Sequence, residues 1–127
     1  MDKVIHFEIT IEDFERAMKF YNSVFNWEIL KVPEFDYAIV HTIEIDKQTQ
    51  MPLEKGVING GMMKRNEKIQ NPVITINVTN INESIEKLKS AGGEIIMEPF
   101  KVGDMGISAY FKDSEGNVLG LWEILKK

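Results

Sequence analysis

Near the start of the chain His6 and Glu8 stand two residues apart, with Phe7 between them. In an extended strand residues i and i+2 share a face, so this spacing predicts an imidazole and a carboxyl group side by side. An imidazole exchanges a proton near neutral pH and serves either as a ligand contact or as a proton-transfer group. A carboxyl group beside it can orient or charge the ring, or act as a base where desolvation raises its pKa. His6 and Glu8 are therefore the candidate catalytic pair. The plainer alternatives are a hydrogen-bonded structural histidine and a solvated or ion-paired glutamate. For His41 a surface strand position is expected, because parity alone does not fix which way it points. Trp122, two residues after Gly120, shares that glycine's face and offers a flat apolar wall to a ligand or to a second subunit. Tyr110, Met62 and Met63 are candidates to soften the same cavity, with Met63 assigned to core filling.

Other chemistries lack their residues. The chain has no cysteine, which removes thiolate nucleophiles, disulfides and Cys-type zinc sites. It contains no nucleotide-binding glycine loop, serine elbow or His-Glu-x-x-His helix. A net charge of -5, from 15 basic and 20 acidic side chains, repels a phosphate backbone, so no nucleic-acid partner is expected. No apolar run approaches the roughly 18 residues of a membrane span, and the start Met1-Asp2-Lys3 is not followed by a signal-type apolar segment. No membrane association is expected, and the expected location is cytoplasmic.

The elements that must position these residues come from two periodicities. Val4 to Ile11 alternates, with Ile5, Phe7, Ile9 and Ile11 on one side and His6, Glu8 and Thr10 on the other. Phe14, Ala17, Met18, Tyr21 and Phe25 then fall at helical spacing behind Asp13 as cap, to about Asn26. Strands are predicted over Trp27 to Val32, Tyr37 to Ile45 and Gly56 to Met63. A polar linker from Lys64 to Asn71 follows.

The pattern then returns about 67 residues on. Ile74, Ile76 and Val78 alternate with Val73, Thr75 and Asn77, and Asn80 caps a helix with Ile81, Ile85 and Leu88 on its buried stripe. Gly92-Gly93 ends that helix, and strands are predicted over Glu94 to Met97, Ile107 to Lys112 and Asn117 to Leu125. The fold class is α+β, two βαβββ modules (1–63 and 72–127, joined by 64–71) in one domain of 127 residues. Each module has one helix to cover one sheet face. The other faces carry His6, Glu8, Thr10, Thr75 and Asn77, which predicts a partly wet cavity between the sheets. Thr75, Asn77, Tyr110 and Trp122 are its candidate ligand-binding residues.

The stretch His6-Phe7-Glu8-Ile9, with Glu15-Arg16-Ala17, Phe20-Tyr21 and Phe25-Asn26-Trp27, resembles the opening of the vicinal oxygen chelate superfamily. This is the group of glyoxalase I, extradiol dioxygenases and the bleomycin and fosfomycin resistance proteins. Asp113-Ser114-Glu115-Gly116-Asn117-Val118-Leu119-Gly120-Leu121-Trp122-Glu123 resembles its closing hairpin and last strand, and with Gly60-Gly61 and Gly92-Gly93 the likeness spans the chain. It implies a curved sheet with a central cavity, and a divalent metal held by His and Glu side chains at four positions. Those positions fall here on His6, about Gly60, Val73 and Gly120, of which only His6 has a donor side chain. No metal and no other cofactor is expected, unless Glu8 and His41 join His6 in an improvised site.

Three functional readings follow. The first is a metal-independent protein that binds a small organic molecule. The second is a glyoxalase-like lyase or isomerase that uses His6 and Glu8, with or without a recruited metal. The third is a domain for regulation or association. The resemblance also implies a homodimer, for which Trp27 and Phe35 are the expected exposed aromatic edges.

Overall fold

In the computed structural model, which describes residues 1–125, the opening alternation forms strand β1 (Lys3–Ile11). Helix α1 (Phe14–Phe25) follows, and the Asp13 side chain accepts the backbone N–H of Arg16 at 3.1 Å. The helix ends at Asn26, whose φ of 61° is the left-handed conformation that asparagine tolerates better than most residues. Strands β2 (Glu28–Lys31), β3 (Tyr37–His41) and β4 (Gly60–Lys64) complete the first module. The second repeats the order with β5 (Val73–Asn77), α2 (Ile81–Ser90), β6 (Glu94–Val102), β7 (Gly106–Lys112) and β8 (Val118–Ile124). The class is α+β, with β-α-β-β-β twice.

Three strand boundaries differ from the expectation by more than one residue, each for a local reason. β3 stops at His41 rather than Ile45 because side chains take over its hydrogen bonds. The Asn59 Oδ1 accepts the N–H groups of Thr42 and Ile43 at 2.7 and 3.1 Å, and the Thr42 hydroxyl donates to the Ile58 carbonyl at 2.6 Å. β4 correspondingly starts at Gly60. β6 runs on to Val102, through Pro99, with register shifts after Ile95 and Met97 of the kind that let a strand accommodate proline. The linker is less polar in effect than in sequence, since Ile69 is fully buried.

The chain divides into two compact units, His6–Pro72 and Val73 onward together with Met1–Ile5. In the first, the strands run β2-β3-β4-β1; β1 and β4 are parallel and the other neighbours antiparallel. Ile11, Ala38, Val40 and Met62 are buried under α1, with Phe7, Ile9 and Ile29 packed against them. Trp27 belongs to this cluster. It stacks on Tyr21 at 5.1 Å with the rings 4° from parallel, and lies 6.0 Å from Phe7, so it is not the exposed edge expected of it. Phe35, in contrast, is exposed.

In the second unit the order is β5-β8-β7-β6, with β5 and β8 parallel. Val78, Ile81, Ile85, Ala109, Phe111 and Leu121 form its core. The start of α2 is held twice. Asn80 Oδ1 accepts from the Glu83 N–H at 3.1 Å, and Glu123 on β8 accepts the Ile81 N–H at 2.7 Å, satisfying two donors that a helix start leaves unpaired.

The β7–β8 hairpin turn centres on Asp113. Its carboxylate accepts the backbone N–H groups of Glu115 and Asn117 at 2.8 and 2.9 Å and the Asn117 amide at 3.1 Å. The Asn117 backbone bond, the Asn117 side-chain bond and the Glu115 bond hold the carboxyl below its usual pKa. The stability these bonds add is present above the ordinary aspartate range and is lost as pH falls through the lowered value. Asp113→Ala should therefore lower the urea midpoint at neutral pH, with the gap to the parent protein closing in acid. A gap that widens in acid would contradict this assignment.

Candidate functional site

In the first unit the register fixes which side chains share a face. Glu8 on β1 pairs with Gly61 on β4, and Gly61 with Ile39 on β3; Thr10 pairs with Met63, and Met63 with Tyr37. Directly opposed residues point the same way. The face away from α1 therefore carries Glu8, Thr10, Gly61, Met63, Tyr37 and Ile39, with His6 two residues before Glu8. His6 Nε2 lies 3.1 Å from the Tyr37 hydroxyl and 3.9 Å from Glu8 Oε2. The Glu8 side chain is 8% exposed and that of His6 32%, so the carboxyl group sits behind a ring that solvent reaches. The predicted His6–Glu8 juxtaposition is present, and Tyr37 is the member that sequence reasoning missed.

Gly61 makes room for Tyr37. A Cβ at position 61 would overlap the phenol oxygen and ring. At Gly60 it would instead meet the carbonyl and ring of Phe7, on the side covered by α1. The fourth-strand position on the polar face is thus Gly61 and not Gly60. The register makes the same point, because Glu8 pairs with Gly61 as Thr75 pairs with Gly120 in the second unit. Met62 and Met63 follow suit. Met62 is fully buried under α1, while Met63 stands on the His6 face rather than in the core.

His41 reaches the same face by its spacing from Ile39, but at the far end of β3 from Tyr37, opposite Glu28 on the edge strand β2. Its Nδ1 is 2.8 Å from Glu28 Oε1. Exposed Leu30 and Ile39 give this part of the face an apolar character.

In the second unit Val73, Thr75 and Asn77 alternate toward the face opposite α2, as read from the sequence. Around Gly120, where a Cβ would lie 3.1 Å from Thr75 Oγ1, gather Thr75, Tyr110 and Val73. Trp122 pairs with Asn77 and with Ser108, and its indole covers Gly106. Thr75 and Tyr110 are buried, while Asn77 and Trp122 are only partly so. The Asn77 Oδ1 is buried without a hydrogen-bond partner among the described residues. Such an orphaned acceptor costs free energy until a donor reaches it.

A family profile described as the Glyoxalase/Bleomycin resistance protein/Dioxygenase superfamily matches residues 3–121. The chain belongs to this superfamily. It is 24% identical over 125 residues to the lactoylglutathione lyase of Escherichia coli O157:H7, covering 95% of this chain and 92% of that protein. It is 25% identical to the Haemophilus influenzae protein of the same name, over 90% of this chain and 87% of the other. Among solved structures, methylmalonyl-CoA epimerase from Mycobacterium tuberculosis superposes with a TM-score of 0.64 at 13% identity, covering 97% and 88% of the two chains. A hypothetical protein from Bacillus halodurans does so at 0.64 and 17%, covering 99% and 96%. At these identities the structural likeness speaks for the fold.

The superfamily resemblance implies a divalent metal, and the donor chemistry of this member does not fit one. With the first-unit position corrected to Gly61, the four places hold one imidazole, two glycines and a valine, against the three or four donors such ions take from protein. Among the described residues no three His, Cys, Asp or Glu side chains converge, so His41 and Glu8 do not complete an improvised set with His6. No helix among them is long and apolar enough to cross a membrane.

Proposed function

We propose that this superfamily member binds a small organic molecule without a metal ion, at the polar sheet face built from His6, Glu8 and Tyr37. The observation that carries the reading is the Tyr37 phenol lodged over Gly61 and within hydrogen-bond distance of His6. It puts a hydroxyl and an imidazole where the resemblance implies metal ligands. Exposed Leu30 and Ile39 supply apolar surface nearby, in keeping with sites that combine a few polar groups with apolar walls. The second unit's polar face, with the unpartnered Asn77 Oδ1, the Trp122 indole, Thr75 and Tyr110, is a candidate ligand-binding face in its own right. The chain acts in the cytoplasm, with a second copy of itself as partner.

A second reading, a lyase or epimerase with His6 and Glu8 as its proton-transfer groups, is favoured by the relatives named lactoylglutathione lyase that match nearly the whole chain. Two measurements test the proposal. Calorimetry with S-lactoylglutathione and with methylmalonyl-CoA should show saturable binding that weakens at least tenfold in His6→Ala. Elemental analysis of protein purified without chelators should show no stoichiometric transition metal. A bound metal that disappears in His6→Ala would overturn the first reading, and turnover of either compound would replace it with the second.

A further inference from the structure

The contacts of His6 are unequal at its two nitrogens. Nε2 faces two oxygens, the Tyr37 hydroxyl at 3.1 Å and Glu8 Oε2 at 3.9 Å. Nδ1 makes no hydrogen bond among the described residues, on a ring about a third exposed. In a neutral imidazole one nitrogen carries the proton and the other a lone pair, and the hydrogen bond at one decides the role of the other. A lone pair on Nε2 would accept from the Tyr37 O–H but would point its negative density toward the Glu8 carboxyl oxygen as well. A proton on Nε2 satisfies both neighbours, because it donates to the phenol oxygen and lies on the side of the carboxyl group.

We infer that Tyr37 and Glu8 hold His6 as the Nε2–H tautomer, so that the Nδ1 lone pair is the acceptor this face offers to a ligand. The ligand class is then a small molecule that presents an O–H, an N–H or an activated C–H to Nδ1. Tyr37 is a positioning residue that acts through His6. Its place depends on Gly61, since any side chain there would overlap the phenol. This inference deepens the binding reading above and rests on it for the presence of a ligand, but its test is made on the free protein.

The protein has two histidines, so the ring nitrogens of His6 can be assigned in a nitrogen-15 NMR spectrum by comparison with His41→Gln. At a pH where the ring is neutral, Nε2 should appear as the protonated nitrogen, with a proton that exchanges slowly with water, and Nδ1 as the bare one. Tyr37→Phe, which keeps the ring and removes the hydroxyl, should speed that exchange at least tenfold and move the nitrogen shifts toward a mixture of tautomers. Gly61→Ala should do the same by displacing Tyr37. A proton on Nδ1 in the parent protein would overturn the inference, as would unchanged shifts and exchange in both variants. If the tautomer is as stated but neither calorimetric probe binds, the binding reading fails while the tautomer assignment stands.

Discussion

Gly60→Ala is expected to destabilise the protein by about 1–3 kcal/mol, the usual cost of forcing an extra group into a packed interior. The new Cβ would overlap the Phe7 carbonyl and come within 2.7 Å of the Phe7 ring. The carbonyl is backbone of β1, so relief requires a shift of the strand that pairs with β4 from Glu8 to Ile11. Gly61→Ala should cost less, although its Cβ meets atoms more closely still, because those atoms are the far end of the Tyr37 side chain and can swing away. Urea unfolding of the two variants measures the contrast. A larger loss at 61 than at 60 would mean that the facing of β4 is the reverse of that described.

Met62→Ala should have the largest effect of any substitution named here, a loss of about 2–5 kcal/mol, as is typical for a buried Met or Leu truncated to Ala. Met62 is fully buried, packed with Ile11, Ala38 and Val40 under α1, so the lost side chain leaves a cavity that the sheet cannot easily close. Met63→Ala, one residue along and on the opposite face, should stay within about 1 kcal/mol, because a partly exposed side chain gives up less contact. Equal losses at both positions in chemical denaturation would contradict the alternation along β4.

How far the sequence revealed this arrangement depended on how strongly each strand is patterned. β1 and β5 alternate between apolar and polar residues, so the pattern alone places His6, Glu8, Thr75 and Asn77 on the face on which they lie. Asp13 and Asn80 marked both helix starts for the same physical reason, an acceptor placed ahead of an amphipathic run. β4 reads Gly-Gly-Met-Met-Lys, two small residues and then two alike, with no period to tell Gly60 from Gly61 or to say which methionine enters the core. The partner strand held the missing signal. Tyr37 begins β3 two residues before Ile39, which opposes Gly61, so a large polar ring stands diagonally across from a residue without a side chain. That pairing exists only once register is known. The end of β3 was illegible for a different reason, since it is set by the Asn59 amide from the far side of a loop.

Because the phenol ring at 37 and a side chain at 61 claim one volume, the two positions constrain each other's history. A lineage passing from a bare residue to a bulky one at 61 must shrink or turn aside 37 first, and one passing the other way must clear 61 first, since either opposite order puts two groups in one space. Descent through this face is therefore ordered. Relatives that carry a carboxylate at the counterpart of 61 should carry something smaller than tyrosine, or a ring turned elsewhere, at the counterpart of 37.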